Sequence, residues 1–181
     1  LQHPRTVVAN GGIYMWKDGR KNWDTITAVF EYGPVNDPAT GFQVTFSSRM
    51  DNGDEHPAEI YYSNGGELNL ITNKVSSHGG LSKRFADEMK MQPNLLPELS
   101  LSEAAPVVAS ADTGGDMLTS NHIRNWMECV RIRKQPHAPV EAGYSHSIAT
   151  IMTNAAAHTG LKAWFDEKTQ EVMTGDKPFK Y

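Results

Sequence analysis

Nine consecutive residues, Trp16-Lys17-Asp18-Gly19-Arg20-Lys21-Asn22-Trp23-Asp24, bring together two tryptophans, two carboxylates and an arginine. Sites for sugars need flat apolar faces on which a ring can lie and a few planar polar groups that fix its hydroxyls. Trp16, Asp18, Arg20, Trp23 and Asp24 provide both kinds, which makes them candidates for substrate binding. The competing reading is a solvated hairpin loop whose tryptophan covers a sheet edge, because charge-rich connections are commonly plain surface.

A second stretch, RKQPHAPVEAGYSHS from Arg133 to Ser147, joins two helical patterns through a pair of prolines. His146, one turn into the second pattern, is the sixth substrate-binding candidate, since histidine is a residue type that suits a ligand-facing position in a cleft. An internal hydrogen bond is its structural alternative. Glu141 fits the positive start of a helix, an interaction of a few tenths of a kcal/mol to about 1. Arg49, followed by MDNGDEH, reads as the lead into a turn, and His122 as a residue near a helix start. Cys129 is the only cysteine, so no internal disulfide and no cysteine-rich metal site can form, and it reads as a small core residue.

The elements that must hold these residues follow from periodicity. DTITAVFEY sets Ile26, Ala28 and Phe30 against Thr25 and Thr27, and GFQVTFSSRM sets Phe42, Val44 and Phe46 against Gln43, Thr45 and Ser47. Such alternation marks half-buried strands. AEIYYSNGGELNLIT turns at Asn64-Gly65-Gly66, and with TVVANGGIYMW the count reaches about five strands in an antiparallel meander. From Asn73 to Gly115 the periodicity fades, with Pro93, Pro97 and Pro106 interrupting any long helix, so irregular cover over a sheet is expected. HIRNWMECVR then places Ile123, Trp126, Met127 and Val130 on one helical stripe, stopped by Pro136. A second helix from about Pro139 aligns Tyr144, Ile148, Ile151, Met152 and Ala155 and ends at Gly160. LKAWFDEK suggests a last short strand. The expected fold is α+β, one domain over residues 1–181, an open antiparallel sheet with one face covered by two long C-terminal helices.

Composition narrows the function class. The chain of 181 residues is 39% hydrophobic and 21% charged, as in ordinary globular domains. Its net charge of −4 lacks the concentrated lysine and arginine of a nucleic-acid footprint. No stretch approaches the roughly 18 apolar residues of a membrane span. There is no G-x-G-x-x-G between a strand and a helix, no H-E-x-x-H, no G-x-S-x-G and no Walker sequence, and the seven histidines stand singly. The chain therefore offers no catalytic, cofactor-binding or metal-binding residue of its own. Opening on Leu1 inside an apolar run, it is expected to be a piece of a longer protein.

Several segments taken together resemble one family. HIRNWMECVRIRKQPHAPVEAGYSHSIATIMTNAAAHTGLKAWFDEKTQEV is similar to the closing section of the Gfo/Idh/MocA oxidoreductases. Their C-x-R-x-R-x-x-P ending of one helix is matched by Cys129, Arg131, Arg133 and Pro136. Their G-x-K-x-x-[WF]-[DN] is matched by Gly160, Lys162, Phe165 and Asp166. ANGGIYMWKDGRKNWDTITAVFEY resembles the strand-loop-strand region of the same domain.

The resemblance implies a C-terminal domain that shapes a sugar or polyol pocket and mediates oligomerisation. A Rossmann domain absent from this chain would hold NAD or NADP and the Glu-Lys-Pro lysine that takes part in catalysis, and the family's Asp-x-x-x-His motif has no place in this sequence. The parent would be an NAD(P)-dependent oxidoreductase, this chain alone inactive, and the compartment is left open. A homo-oligomer is expected through the open sheet face, which carries Val29, Gln43, Thr45 and Tyr61. The other readings are a stand-alone interaction module that uses its sheet, or a domain of an NAD-dependent glycosidase of the same family.

Overall fold

The computed structural model describes residues 3–37, 40–50, 58–92, 94–101 and 117–180. The chain divides into two compact units, one made of Leu1–Gly53 with Arg124–Tyr181 and the other of Asp54–Ile123. Both contain antiparallel sheet, and the class is α+β. The strands do not form one sheet, however: they form a six-stranded and a four-stranded one.

The first unit is built on β1 (Thr6–Gly12), β2 (Thr25–Tyr32) and β3 (Phe42–Arg49). β2 pairs with β1 from Thr6↔Glu31 to Gly12↔Thr25 and with β3 from Thr25↔Arg49 to Tyr32↔Phe42, in unbroken register. Directly opposed residues share a face, so Val7, Ala28 and Phe30 look one way and Val8, Val29 and Thr45 the other. After the helices the chain returns as β8 (Ala163–Asp166), β9 (Glu171–Thr174) and β10 (Lys177–Pro178), and the sheet order is β10-β9-β8-β1-β2-β3. Where one short final strand is expected there are thus three.

The helix α3 (Val140–Thr159) packs on the Val7 side against β1, β8 and β9. It buries Ile148, Met152, Ala155 and Ala156, the i, i+4, i+7, i+8 stripe of one helical face. Val7, Ala28, Ala163 and Val172 meet it from the sheet and complete the core. Two adjacent alanines let the helix axis come close, and Met152, fully buried, contributes about 1.5–3 kcal/mol of burial. Ile151, expected on this stripe, lies about 100° round the helix from Met152 and is exposed, as is Tyr144. Gly160 ends α3 in the left-handed region at φ 69°, its N–H donating to the Ala156 carbonyl.

The helix α2 (Met117–Ile132) stops four residues before Pro136. Arg133 adopts φ 54° and the Lys134 N–H reaches back to the Cys129 carbonyl, a left-handed cap made without glycine. Cys129 is buried, and its thiol donates to the Gln135 carbonyl, while the Asn125 side chain accepts from the His137 N–H. These bonds tie the proline turn to the helix. The apolar stripe of α2 is not buried: Trp126, Met127 and Val130 are exposed, and among the described residues α3 is the helix that packs on the six-stranded sheet.

The second unit carries β4 (Ile60–Ser63), β5 (Gly66–Asn69), β6 (Lys74–Ser76), β7 (Leu99–Ser100) and the short helix α1 (Lys83–Glu88). The expected hairpin is present, with Asn64-Gly65 as a two-residue turn closed by Ser63↔Gly66. Gly66 has φ 138° and a Cβ there would stand 2.0 Å from the Ser76 carbonyl oxygen, so no other residue fits. Tyr61 belongs to β4 and thus to this sheet, not to the face that bears Val29, Gln43 and Thr45. The region expected to be irregular contains β6, α1 and β7, while its proline-bearing positions Pro93 and Pro106 lie outside the described residues. Among the described residues no helix is long and apolar enough to cross a membrane.

Candidate functional site

The β1–β2 connection is organised by one carboxylate. Asp24 is 1% exposed, and its Oδ1 accepts the N–H of Tyr14 at 3.0 Å while Oδ2 accepts those of Met15 and Trp16 at 2.9 and 3.0 Å. Its own carbonyl accepts from the Met50 N–H and its N–H donates to Gly12, so it also joins the ends of β1 and β3. The Tyr14 N–H above all, then those of Trp16 and Met15, hold the carboxyl at about 2 against the opposing effect of burial. A buried, ionised acid is tolerable only when its lone pairs are satisfied in this way. The Asp24 candidate is therefore a buried anchor and presents no atom to a ligand.

What the anchor holds in place is unusual. Tyr14, Met15 and Trp16, three large apolar side chains in succession, are 63%, 54% and 42% exposed on a backbone pinned by three hydrogen bonds. The Trp16 indole N–H donates to the Met50 carbonyl, and the Arg20 guanidinium lies 5.4 Å from the Trp16 ring centre. Asp18 grips Arg20 through two side-chain bonds of 2.9 and 2.6 Å and also accepts the Arg20 N–H. That grip, the guanidinium bonds first, holds the Asp18 carboxyl at about 2. Gly19 between them has φ 90°, a turn that favours glycine. Trp16, Asp18 and Arg20 thus form one exposed, preordered cluster, an aromatic plate edged by a guanidinium and a carboxylate.

The other candidates lie elsewhere. Trp23 packs over Gly11, where any Cβ would collide with the Thr25 carbonyl at 2.2 Å, and its ring lies 5.0 Å from that of His158 near the end of α3. With Lys21, Asn22 and Asn154 these two rings line a separate cleft of about 280 Å³. His146 is exposed on α3, twelve residues and about 18 Å of helix axis from His158. Six candidates therefore resolve into one cluster of three, a buried anchor, a tryptophan in its own cleft and a lone surface histidine. Glu141 sits in the first turn of α3 as expected. His122 lies inside α2, beyond its first turn, and Arg49 is still within β3.

Sequence reading missed a second opening of about 780 Å³, at the end of the sheet where β1, β2 and β8 meet. Glu31 accepts from the Thr6 hydroxyl and faces Arg5 at 3.4 Å and Lys162 at 3.8 Å, with the Trp164 ring forming part of the same wall. The Thr6 bond first, then the Lys162 charge, lowers the Glu31 pKa. No local signal could have found it, because its charges come from β2 and from the residues just before β1 and β8, three places that only sheet pairing brings together.

Among the described residues no group of three or more histidine, cysteine, aspartate or glutamate side chains could hold a metal ion. Nor does a glycine-rich strand-to-helix turn occur among them: α3 opens on Pro139, and α1, which follows Gly79 and Gly80, has six residues. Compared with known proteins, the chain matches no family model, no curated protein and no solved structure.

Proposed function

We propose that this chain is the substrate-binding and oligomerising domain of an NAD(P)-dependent oxidoreductase that acts on a sugar or polyol, its Rossmann domain lying outside the 181 residues. The observation that carries the reading is the Trp16–Asp18–Arg20 cluster held rigid by Asp24. A pyranose or an extended polyol offers one apolar face and a ring of hydroxyls, and the cluster offers a flat indole with a donor and an acceptor at its rim. Preordering of the loop lowers the entropy lost on binding. The resemblance in Cys129, Arg131, Arg133, Pro136, Gly160, Lys162, Phe165 and Asp166 supports the same assignment.

In such a parent, NAD or NADP accepts the hydride and is bound by the other domain, and this chain binds and orients the substrate. The uncovered stripe of Trp126, Met127 and Val130 on α2 is then the side that docks in the whole protein, which would complete the two-helix cover expected from the sequence. A stand-alone interaction module would use the bare sheet face that carries Val29, Gln43 and Thr45.

Indole fluorescence during titration with monosaccharides and polyols tests the binding role. A response that is lost in Trp16→Ala and weakened about tenfold or more in Arg20→Ala is expected, the loss of one charged hydrogen-bonding partner being worth about 1.5–3 kcal/mol. No response to any sugar or polyol would end the proposal. NAD(H) should not bind this chain alone, and low-micromolar affinity by calorimetry would show a dinucleotide site within it. Joined to its upstream sequence the protein should reduce NAD or NADP with the sugar. Sugar release without net reduction would identify the glycosidase reading.

A further inference from the structure

The two edges of the six-stranded sheet are built differently. At one edge β10 has two residues, Lys177 and Pro178, and both are types that keep another strand away, by charge and by the missing N–H. At the other, β3 runs eight residues without proline or glycine, in unbroken register with β2, and among the described residues no strand pairs with its outer side. Seven of the eight are exposed, among them Phe42, Val44 and Phe46 at 61%, 41% and 48%. The only charge is Arg49 at its end. Folded proteins guard an open edge with short strands, charges, proline or bulges, and β3 has none of these along Phe42–Ser48.

From this we infer that the outer edge of β3 is a homodimer interface, in which β3 pairs antiparallel with β3 of a second copy and joins the two six-stranded sheets into one. The strand is complementary to itself in that direction. With Thr45 opposite Thr45 of the second copy, Val44 meets Phe46, Gln43 meets Ser47 and Phe42 meets Ser48, so Phe42, Val44 and Phe46 of both copies share one face. The two Arg49 side chains lie at opposite ends, whereas parallel pairing would set like charges side by side. Two-fold pairing also leaves only the guarded β10 edges outside, so the assembly closes at two copies. The interface is the strand edge, not the sheet face, and it stands whether or not the sugar-binding assignment holds.

Light scattering on the chain at tens of micromolar should give twice the 20.0 kDa monomer mass. Thr45→Cys should form a disulfide-linked dimer on mild oxidation, because opposed residues of an antiparallel pair stand about 4.5–5.5 Å apart at Cα, within disulfide reach. Packed sheet faces, about 10 Å apart, do not permit that link. Thr45→Lys sets two ammonium groups opposite each other and should return the chain to a monomer. Val8→Lys, on β1 two strands from the edge and 43% exposed, should leave the dimer intact. A monomeric wild-type chain would overturn the inference, as would a dimer that Val8→Lys dissociates and Thr45→Cys fails to link. Assembly beyond the dimer would overturn the closure argument. Should Thr45→Lys fail to fold, the Thr45→Cys link still decides.

Discussion

α2 and α3 carry apolar stripes of similar spacing, yet the stripe of α3 is buried and that of α2 is bare. On α3, Ile148 and Met152 are 4% and 0% exposed and are followed by Ala155 and Ala156, small enough to bring the helix onto β1, β8 and β9. On α2, Trp126, Met127 and Val130 remain 55%, 43% and 54% exposed, and among the helix side chains described only Cys129, at the margin of that stripe, is buried. Periodicity reveals that a helix has an apolar face, but not what covers it. Covered and uncovered stripes must then differ in energy. Met152→Ala should lower the unfolding free energy by about 2–5 kcal/mol through lost burial and a cavity, whereas Trp126→Ala should change it by no more than about 0.5 kcal/mol, as at exposed sites. Urea denaturation measures both. A Trp126→Ala loss as large as that at Met152 would mean that α2 is packed in solution and would break the comparison.

The same contrast recurs between the two carboxylates of the β1–β2 loop. Asp24 and Asp18 both sit at about 2, the first buried among backbone N–H groups and the second exposed beside Arg20. A carboxyl whose folded pKa lies below its unfolded value, near 3.9, adds stability at pH above that value. The contribution fades as pH falls toward about 2. Stability followed by urea unfolding from pH 6 down to 2 should therefore fall in the acid range, and Asp24→Asn should flatten that fall while lowering stability at neutral pH. Asp18→Asn should have the smaller effect, because its ion pair is in water and is screened. Equal effects of the two substitutions would place Asp24 in solvent and leave Tyr14, Met15 and Trp16 without their anchor.

Much of this arrangement could be read from the chain, and the failures share a cause. β1, β2 and β3, the Asn64-Gly65 turn and both long helices follow from alternation, turn residues and helical spacing, all of which are local. The division into two sheets is not local: TITAVFEY and AEIYYS look alike as strands, and only pairing sends Ile60–Ser63 to a different sheet from Thr25–Tyr32. β9 and β10 were missed because EVMT and KP are too short to show a period. In the loop, the gathering of aromatic and charged residue types is legible, but the role of each side chain is not. Asp24 was read as a contact because nothing in sequence distinguishes an aspartate that meets a ligand from one that binds backbone N–H groups eight to ten residues earlier. Trp23 adjoins Trp16, Asp18 and Arg20 along the chain, but its ring turns to His158 near the end of α3, and His146, on the same helix, lies about 18 Å of helix axis from that contact.

A small effect is also expected at the second opening, where charge is gathered but cover is lacking. Arg5 and Lys162 flank Glu31 at 3.4 and 3.8 Å, with side chains 30% and 57% exposed. Such pairs gain little, since water screens the attraction and holding long side chains still loses entropy. Lys162→Ala should shift stability by less than about 1 kcal/mol, and that difference should shrink in about 1 M salt, where the screening length is about 3 Å. Thr6→Val removes a contact hydrogen bond from a neutral hydroxyl to the Glu31 carboxylate, which salt screens far less than the attraction between separated charges, and the Thr6 hydroxyl is the largest single cause of the lowered Glu31 pKa. Its cost should persist in salt and exceed that of Lys162→Ala. Urea midpoints for the two variants at low and high salt, near neutral pH, separate the cases. Were Lys162→Ala the costlier change, and its cost insensitive to salt, Glu31 would have to sit in a desolvated network, and this end of the sheet would belong with the covered half of the molecule.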